Sequence, residues 1–184
     1  MISRHLIRRT ALEIVAPGIL SMPAVGGAQH APDATRPSIP SSIREEHEEI
    51  STELARATKV AGRTGAAARA LAALLQPHFQ REEQIALPPL SLLRPLARGE
   101  SAAPPAWVIA MTDSLRRELP RMLREHVAIH AATQRLATTA RSEGQPEIVR
   151  FTEKLALHAR TEEEVLYPAA VVVGDLVRVR RARP

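Results

Sequence analysis

Seven residues of this 184-residue chain stand at spacings that suit chemistry: His47, His78, Glu82, His126, His130, His158 and Glu162. His78 and Glu82, His126 and His130, and His158 and Glu162 are each four apart. On a helix, such pairs lie on the same face, one turn above the other. All seven fall on stripes that also carry Leu, Ile or Met, so the expected direction is inward. Burying carboxylates and imidazoles without partners costs several kcal/mol per charge, more than a marginally stable domain absorbs. Metal cations neutralise the carboxylates and use the imidazole lone pairs, and metal binding is therefore the expected chemistry. His5 and His30 lie outside the pattern and read as incidental.

The donor set narrows the metal. The chain has no cysteine, which excludes disulfide scaffolds, zinc fingers, iron–sulfur clusters and thiol nucleophiles. Nitrogen-rich sites with carboxylates suit iron, manganese or zinc. A single zinc ion needs only four ligands, fewer than the seven on offer. Two octahedral ions take about twelve coordination positions. Five imidazoles, two bridging carboxylates and a bridging oxide or hydroxide fill all but about one of these. Such an opening on a redox-active pair would admit dioxygen, nitric oxide or peroxide.

Four helices must position these residues. Ile43, His47, Ile50, Leu54 and Ala57 recur at helical steps from a capping box at Ser42-Ile43-Arg44-Glu45, to about Gly62 or Gly65. A second helix over Ala66–Ala86 carries Leu71, Leu74, His78, Glu82 and Ile85 on one face and ends at Pro88-Pro89. The third carries Met111, Leu115, Met122, His126, His130 and Thr133, with Pro120 starting its regular part or kinking it. The fourth opens at Pro146 and carries Ile148, Phe151, Leu155, His158, Glu162 and Val165 before Pro168. The fold class is all-α: an antiparallel four-helix bundle, up-down-up-down.

The two halves repeat each other. Glu46-His47 parallels Glu125-His126, and His78-x-x-x-Glu82-Glu83 parallels His158-x-x-x-Glu162-Glu163, with Pro88 and Pro168 each ten residues past the histidine. The domain is thus two helix hairpins, each supplying a histidine and a His-x-x-x-Glu pair.

Across residues 41–170 this pattern resembles the hemerythrin-like family of cation-binding bundles, the HHE domains. The resemblance implies a non-haem di-iron site with two bridging carboxylates and terminal histidines. Its implied function is binding of dioxygen or nitric oxide for sensing, storage or delivery. A di-iron enzyme (ferroxidase, peroxide-consuming or iron-donating repair) and a structural metal bundle without redox role are the alternatives. Manganese or zinc could replace iron. In the invertebrate oxygen carriers of this family the last carboxylate lies five residues past its histidine, which would select Glu163. Helical geometry and the match to Glu82 favour Glu162. His130 varies among bacterial relatives. The long, proline-rich connection over residues 87–106 also departs from the carriers' short turn.

Outside the repeat the readings are plainer. Residues 1–28 carry Arg4, Arg8 and Arg9, an apolar stretch from Ile14 to Val25 and the small residues Gly26-Gly27-Ala28. They are expected to form a signal peptide, or else a disordered tail, so the protein is expected to be periplasmic or exported, alternatively cytoplasmic. The stretch is too short and too broken by proline and glycine to span a membrane. Residues 29–40 form a linker, and residues 171–184 a basic tail. The net charge of +5 belongs to these ends, because residues 41–170 hold 17 basic and 17 acidic side chains. No basic stripe and only four aromatics mark the fold, so nucleic acid is not an expected partner. Glu45, Glu46, Glu48 and Glu49 read as surface charges favoured by the helix start. Tyr167 reads as an anchor at the bundle's end or a residue that tunes the site, and Trp107 as packing the long connection onto the core.

Overall fold

The structure is a computed structural model and describes residues 38–100 and 105–182. The expected export segment, and most of the linker after it, lie outside the described residues. Among those described, every regular element is helical. The main ones are α1 (Ser41–Ala57), α2 (Gly62–Arg81), the short α3 (Leu93–Ala97), α4 (Trp107–Ser142), α5 (Pro146–Thr161) and α6 (Tyr167–Ala182). Helix α1 packs on α2 and α5, and α4 packs on α2, α5 and α6. No described helix is long and apolar enough to cross a membrane.

Helix α1 starts one residue before the expected capping box. Ser42 lies within the first turn, and the Pro40 carbonyl accepts from the Ile43 and Arg44 amides. The helix ends at Ala57, and α2 restarts at Gly62, whose φ of 81° places it in the left-handed region. Glu143, from the far end of α4, accepts hydrogen bonds from the Arg63 and Thr64 amides and so caps α2 from another element.

Pro120 does not start the third helix, because α4 runs through it for 36 residues. The connection after α2 is not loose either. Pro88–Leu92 forms a 3₁₀ turn leading into α3, and Pro88, Pro89, Leu90, Leu92 and Leu96 are buried. The segment expected as a basic tail is helical through Ala182. Its Val173 and Val177 pack with Leu92, Leu96 and Val108, and Trp107 lies against the same cluster. Four arginines give the segment its net positive charge, but five valines stand among them, and Val173 and Val177 recur at helical spacing against α3 and α4.

Helices α2 and α5 each pass into a π-turn, Glu82–Ala86 and Glu162–Leu166. The Leu87 amide donates to the Glu82 carbonyl, and the Tyr167 amide to the Glu162 carbonyl, each reaching back five residues. Pro88 and Pro168 follow immediately. A proline ring clashes with the preceding turn and brings no N–H, and a widened turn relieves both problems. Pro168 thus does not end the fourth helix; α6 continues from it.

Two apolar layers fill the bundle. One is built around Ile50, Leu71, Leu75, Phe79, Ile129, Leu136, Phe151 and Leu155. The other joins Ile43, Leu87, Leu90, Leu115, Met122 and Tyr167. His47 falls between Ile43 and Ile50 along α1, and His126 between Met122 and Ile129 along α4. The histidines therefore occupy a polar layer between two apolar ones.

Candidate metal centre

Each of four helical segments delivers one buried imidazole: His47 from α1, His78 from α2, His126 from α4 and His158 from α5. The two π-turns deliver Glu82 and Glu162, which are 0% and 1% exposed. All four Nε2 atoms face this carboxylate pair. His78 Nε2 is 3.3 Å from Glu82 Oε1, and His158 Nε2 is 3.0 Å from Glu162 Oε1. Glu162 serves both halves, with Oε1 3.4 Å from His47 Nε2 and Oε2 3.6 Å from His126 Nε2. Glu82 lies farther from the same two rings, 3.9 Å from each.

The other ring nitrogens point outward onto a second set of carboxylates. His47 Nδ1 meets Glu83 at 3.0 Å, His78 Nδ1 meets Glu125 at 2.9 Å, His126 Nδ1 meets Glu163 at 2.7 Å, and His158 Nδ1 meets Glu46 at 3.2 Å. A carboxylate at Nδ1 favours the proton there and turns the Nε2 lone pair inward, the tautomer a metal ligand needs.

The buried donors form two sets of neighbouring atoms: His78, Glu82, His126 and Glu162, and His47, His158 and Glu162. Within them His78 Nε2, His158 Nε2 and Glu82 Oε2 make no well-directed hydrogen bond, although His78 and His158 lie within ion-pair distance of carboxylates. Orphaned buried lone pairs are costly, and cations placed among them would relieve that cost. The residues present fit a metal centre.

The site's electrostatics without a cation point the same way. Burial and the charge of Glu162 raise Glu82 above the usual carboxylate range. Burial pushes Glu162 the same way, but hydrogen bonds to His158 and His47 outweigh it and hold Glu162 at about 2. Burial lowers His78, yet Glu82 and Glu125 overcome this and bring it to about 9. His47 and His158 are likewise raised, with burial outweighed chiefly by Glu162. Buried negative charge thus favours protons on His47, His78 and His158, the role a bound cation would take over.

His130, expected among the ligands, is exposed on α4 and outside both donor sets. Residues three and four past His126 fall on opposite sides of its inward line, and Ile129 takes the core side. Of the two candidate carboxylates on the last hairpin, Glu162 faces the cluster and Glu163 braces His126 from outside. Sequence reasoning did not find the bracing roles of Glu46, Glu83 and Glu125, although each adjoins a cluster residue in sequence. It also missed Phe79, whose ring stacks on His47 at 3.9 Å and 6°. Tyr167 touches the site: its hydroxyl donates to Glu82 and lies 3.2 Å from His126 Nε2. Burial and the charge of Glu82 push the Tyr167 phenol far upward, keeping it a donor.

With this geometry in view, the comparison with known families is direct. Residues 38–170 match the hemerythrin HHE cation binding domain, and the chain belongs to that family. Comparisons with curated proteins and with solved structures gave no significant match.

Proposed function

We propose that this chain holds two iron ions between its hairpins and binds dioxygen or nitric oxide there, for sensing, storage or delivery. The observation that carries the reading is the convergence of four Nε2 atoms on Glu82 and Glu162, each imidazole braced from behind by an outer carboxylate. Four imidazoles and two carboxylates are fewer donors than two octahedral ions take, about twelve positions. Room remains for a small ligand. A pair of ferrous ions supplies the electrons that such a ligand draws on. The chain supplies two apolar layers that limit water around the cluster, and the bracing that keeps each imidazole oriented.

The contacts of α1 and α4 with both α2 and α5, and the short connections after α1 and α4, support the up-down-up-down antiparallel bundle. Export remains our proposal from the N-terminal sequence. A second reading, a di-iron enzyme, is favoured by one observation: the Tyr167 hydroxyl stands against Glu82 as a buried hydrogen-bond donor within the site.

The test is iron content per chain after anaerobic loading, followed by exposure to dioxygen or nitric oxide. Two irons and an optical change reversed on removing the gas support the carrier reading. Turnover of ferrous iron or peroxide would replace it with the enzyme. Equal retention of zinc and iron with no response to either gas would leave only a structural metal bundle.

A further inference from the structure

The repeat gives almost every residue of the centre a counterpart in the other half. His47 corresponds to His126, His78 to His158, Glu82 to Glu162, Glu83 to Glu163, and Glu46 to Glu125. Two positions break the correspondence. Tyr167 stands where the first hairpin has Leu87, and Phe79 stands where the second has Ala159. Their effects fall on opposite sides of the centre. Tyr167 sets its hydroxyl on Glu82 beside His126. Phe79 lays an apolar ring on His47 and meets His158 at 76°, ring centres 5.6 Å apart.

From these two substitutions within the repeat we infer that the two cation positions are unequal, and that Tyr167 makes them so. The inference rests on the metal reading above. By the repeat, Glu82 should serve both positions as Glu162 does. Instead the Tyr167 hydroxyl fastens Glu82 Oε1 on the side of His78 and His126. Glu82 Oε2 is left 3.9 Å from His47 Nε2 and without a hydrogen bond. One position therefore has two imidazoles and two carboxylates. The other has two imidazoles, a share of Glu162 and the Phe79 ring as a wall.

Charge makes the difference consequential. A divalent cation in the first position is neutralised by two carboxylates. A second cation then meets a Glu162 already engaged, with Glu82 held away, and carries uncompensated charge in a buried layer. The first position fills first and holds tightly. The second is the exchangeable one, and it lies on the side of an open groove of ≈950 Å³ between α1 and α2, lined by His47, Phe79 and Glu83 among others. Tyr167 is a positioning residue here, acting through Glu82.

The test is an anaerobic titration of the metal-free full chain with cobalt(II), a coloured substitute for ferrous iron, followed by visible absorption and calorimetry. Wild type should take up two ions in two resolved steps. Removal of an outer hydrogen-bond partner weakens metal binding by about 10–100-fold, so Tyr167→Phe should weaken the first step by that much and, by freeing Glu82, strengthen the second, drawing the two steps together. His158→Ala should keep the first step and lose the second, whereas His78→Ala should lose the first. Circular dichroism establishes that each variant is folded. Uptake of two ions in a single step, or an unchanged first step in folded Tyr167→Phe, would overturn the inference while leaving the metal reading in place. No uptake by wild type would overturn both.

Discussion

His126 Nδ1 lies 2.7 Å from Glu163 Oε1, and the repeat sets His47 Nδ1 3.0 Å from Glu83 in the same relation. In each hairpin, the residue after the buried carboxylate reaches across to brace the other helix's histidine. Adjacent residues on a helix point about 100° apart, so one carboxylate enters the cluster while its neighbour remains at the rim. The bracing carboxylates are partly exposed while their imidazoles are buried.

From this arrangement follows the effect of removing a brace. Glu163→Gln keeps the shape but removes the charge that favours the proton on Nδ1. Metal affinity should fall by about 10–100-fold with the fold intact. Glu125→Gln should act likewise through His78. Calorimetric titration against wild type measures the loss, and unchanged affinity in both variants would show that the outer carboxylates are surface charges only.

The ligand set makes a sharper contrast. His78→Ala and His158→Ala should each lose most of one bound ion, whereas His130→Ala should keep the full complement. Elemental analysis after loading and desalting decides it. A large loss in His130→Ala would mean that α4 turns in solution to bring a fifth imidazole inward.

Much of this was legible in the sequence because the helical period is strict. Leu, Ile and Met fix each inward line, and a histidine or glutamate on that line has nowhere else to point. His130 marks where the rule weakens, since steps of three and four flank the line and only packing chooses between them. The braces were illegible for another reason. Glu46 and Glu125 look like any exposed glutamate until a neighbouring helix brings an imidazole alongside. The π-turns left a trace in the paired prolines, but proline reads first as a helix end. Helix α6 read as a tail because its four arginines set its charge, while the face its valines need comes from α3 and α4, distant in sequence.

Titration should separate the metal-free and metal-loaded forms. His78 is raised from 6.5 to about 9, with Glu82 and Glu125 outweighing the burial that lowers it. A raised imidazole stabilises the fold fully below its unfolded value and loses that contribution as pH rises through the folded one. The metal-free protein should therefore lose thermal stability between pH 6.5 and about 9. Metal binding requires neutral imidazole, so affinity should increase over the same interval. Melting curves of both forms from pH 6 to 9 check this. Parallel profiles would mean that the buried imidazoles are not the groups exchanging protons for metal.

Packing of α6 on α4 gives a prediction remote from the ligands. A Cβ built on Gly174 would lie 2.1 Å from Thr112 Oγ1 and 2.6 Å from Thr112 Cβ. The Thr112 hydroxyl already donates to the Val108 carbonyl, and Arg116–Asp175 and Arg178–Asp113 pairs clasp the same two helices. Gly174→Ala must push the helices apart at a cost of about 1–3 kcal/mol. For a chain of this size the midpoint should fall by roughly 2–4 °C per kcal/mol. Tyr167 opens the same helix, so displacement at Gly174 also loosens the hydroxyl on Glu82. The variant should then weaken the first step of cobalt uptake, whereas Val172→Ser on the exposed side should alter neither property. A lowered midpoint with normal cobalt uptake would show that α6 can shift along α4 without moving Tyr167. An unchanged midpoint would mean that the close approach at Thr112 is not maintained in solution.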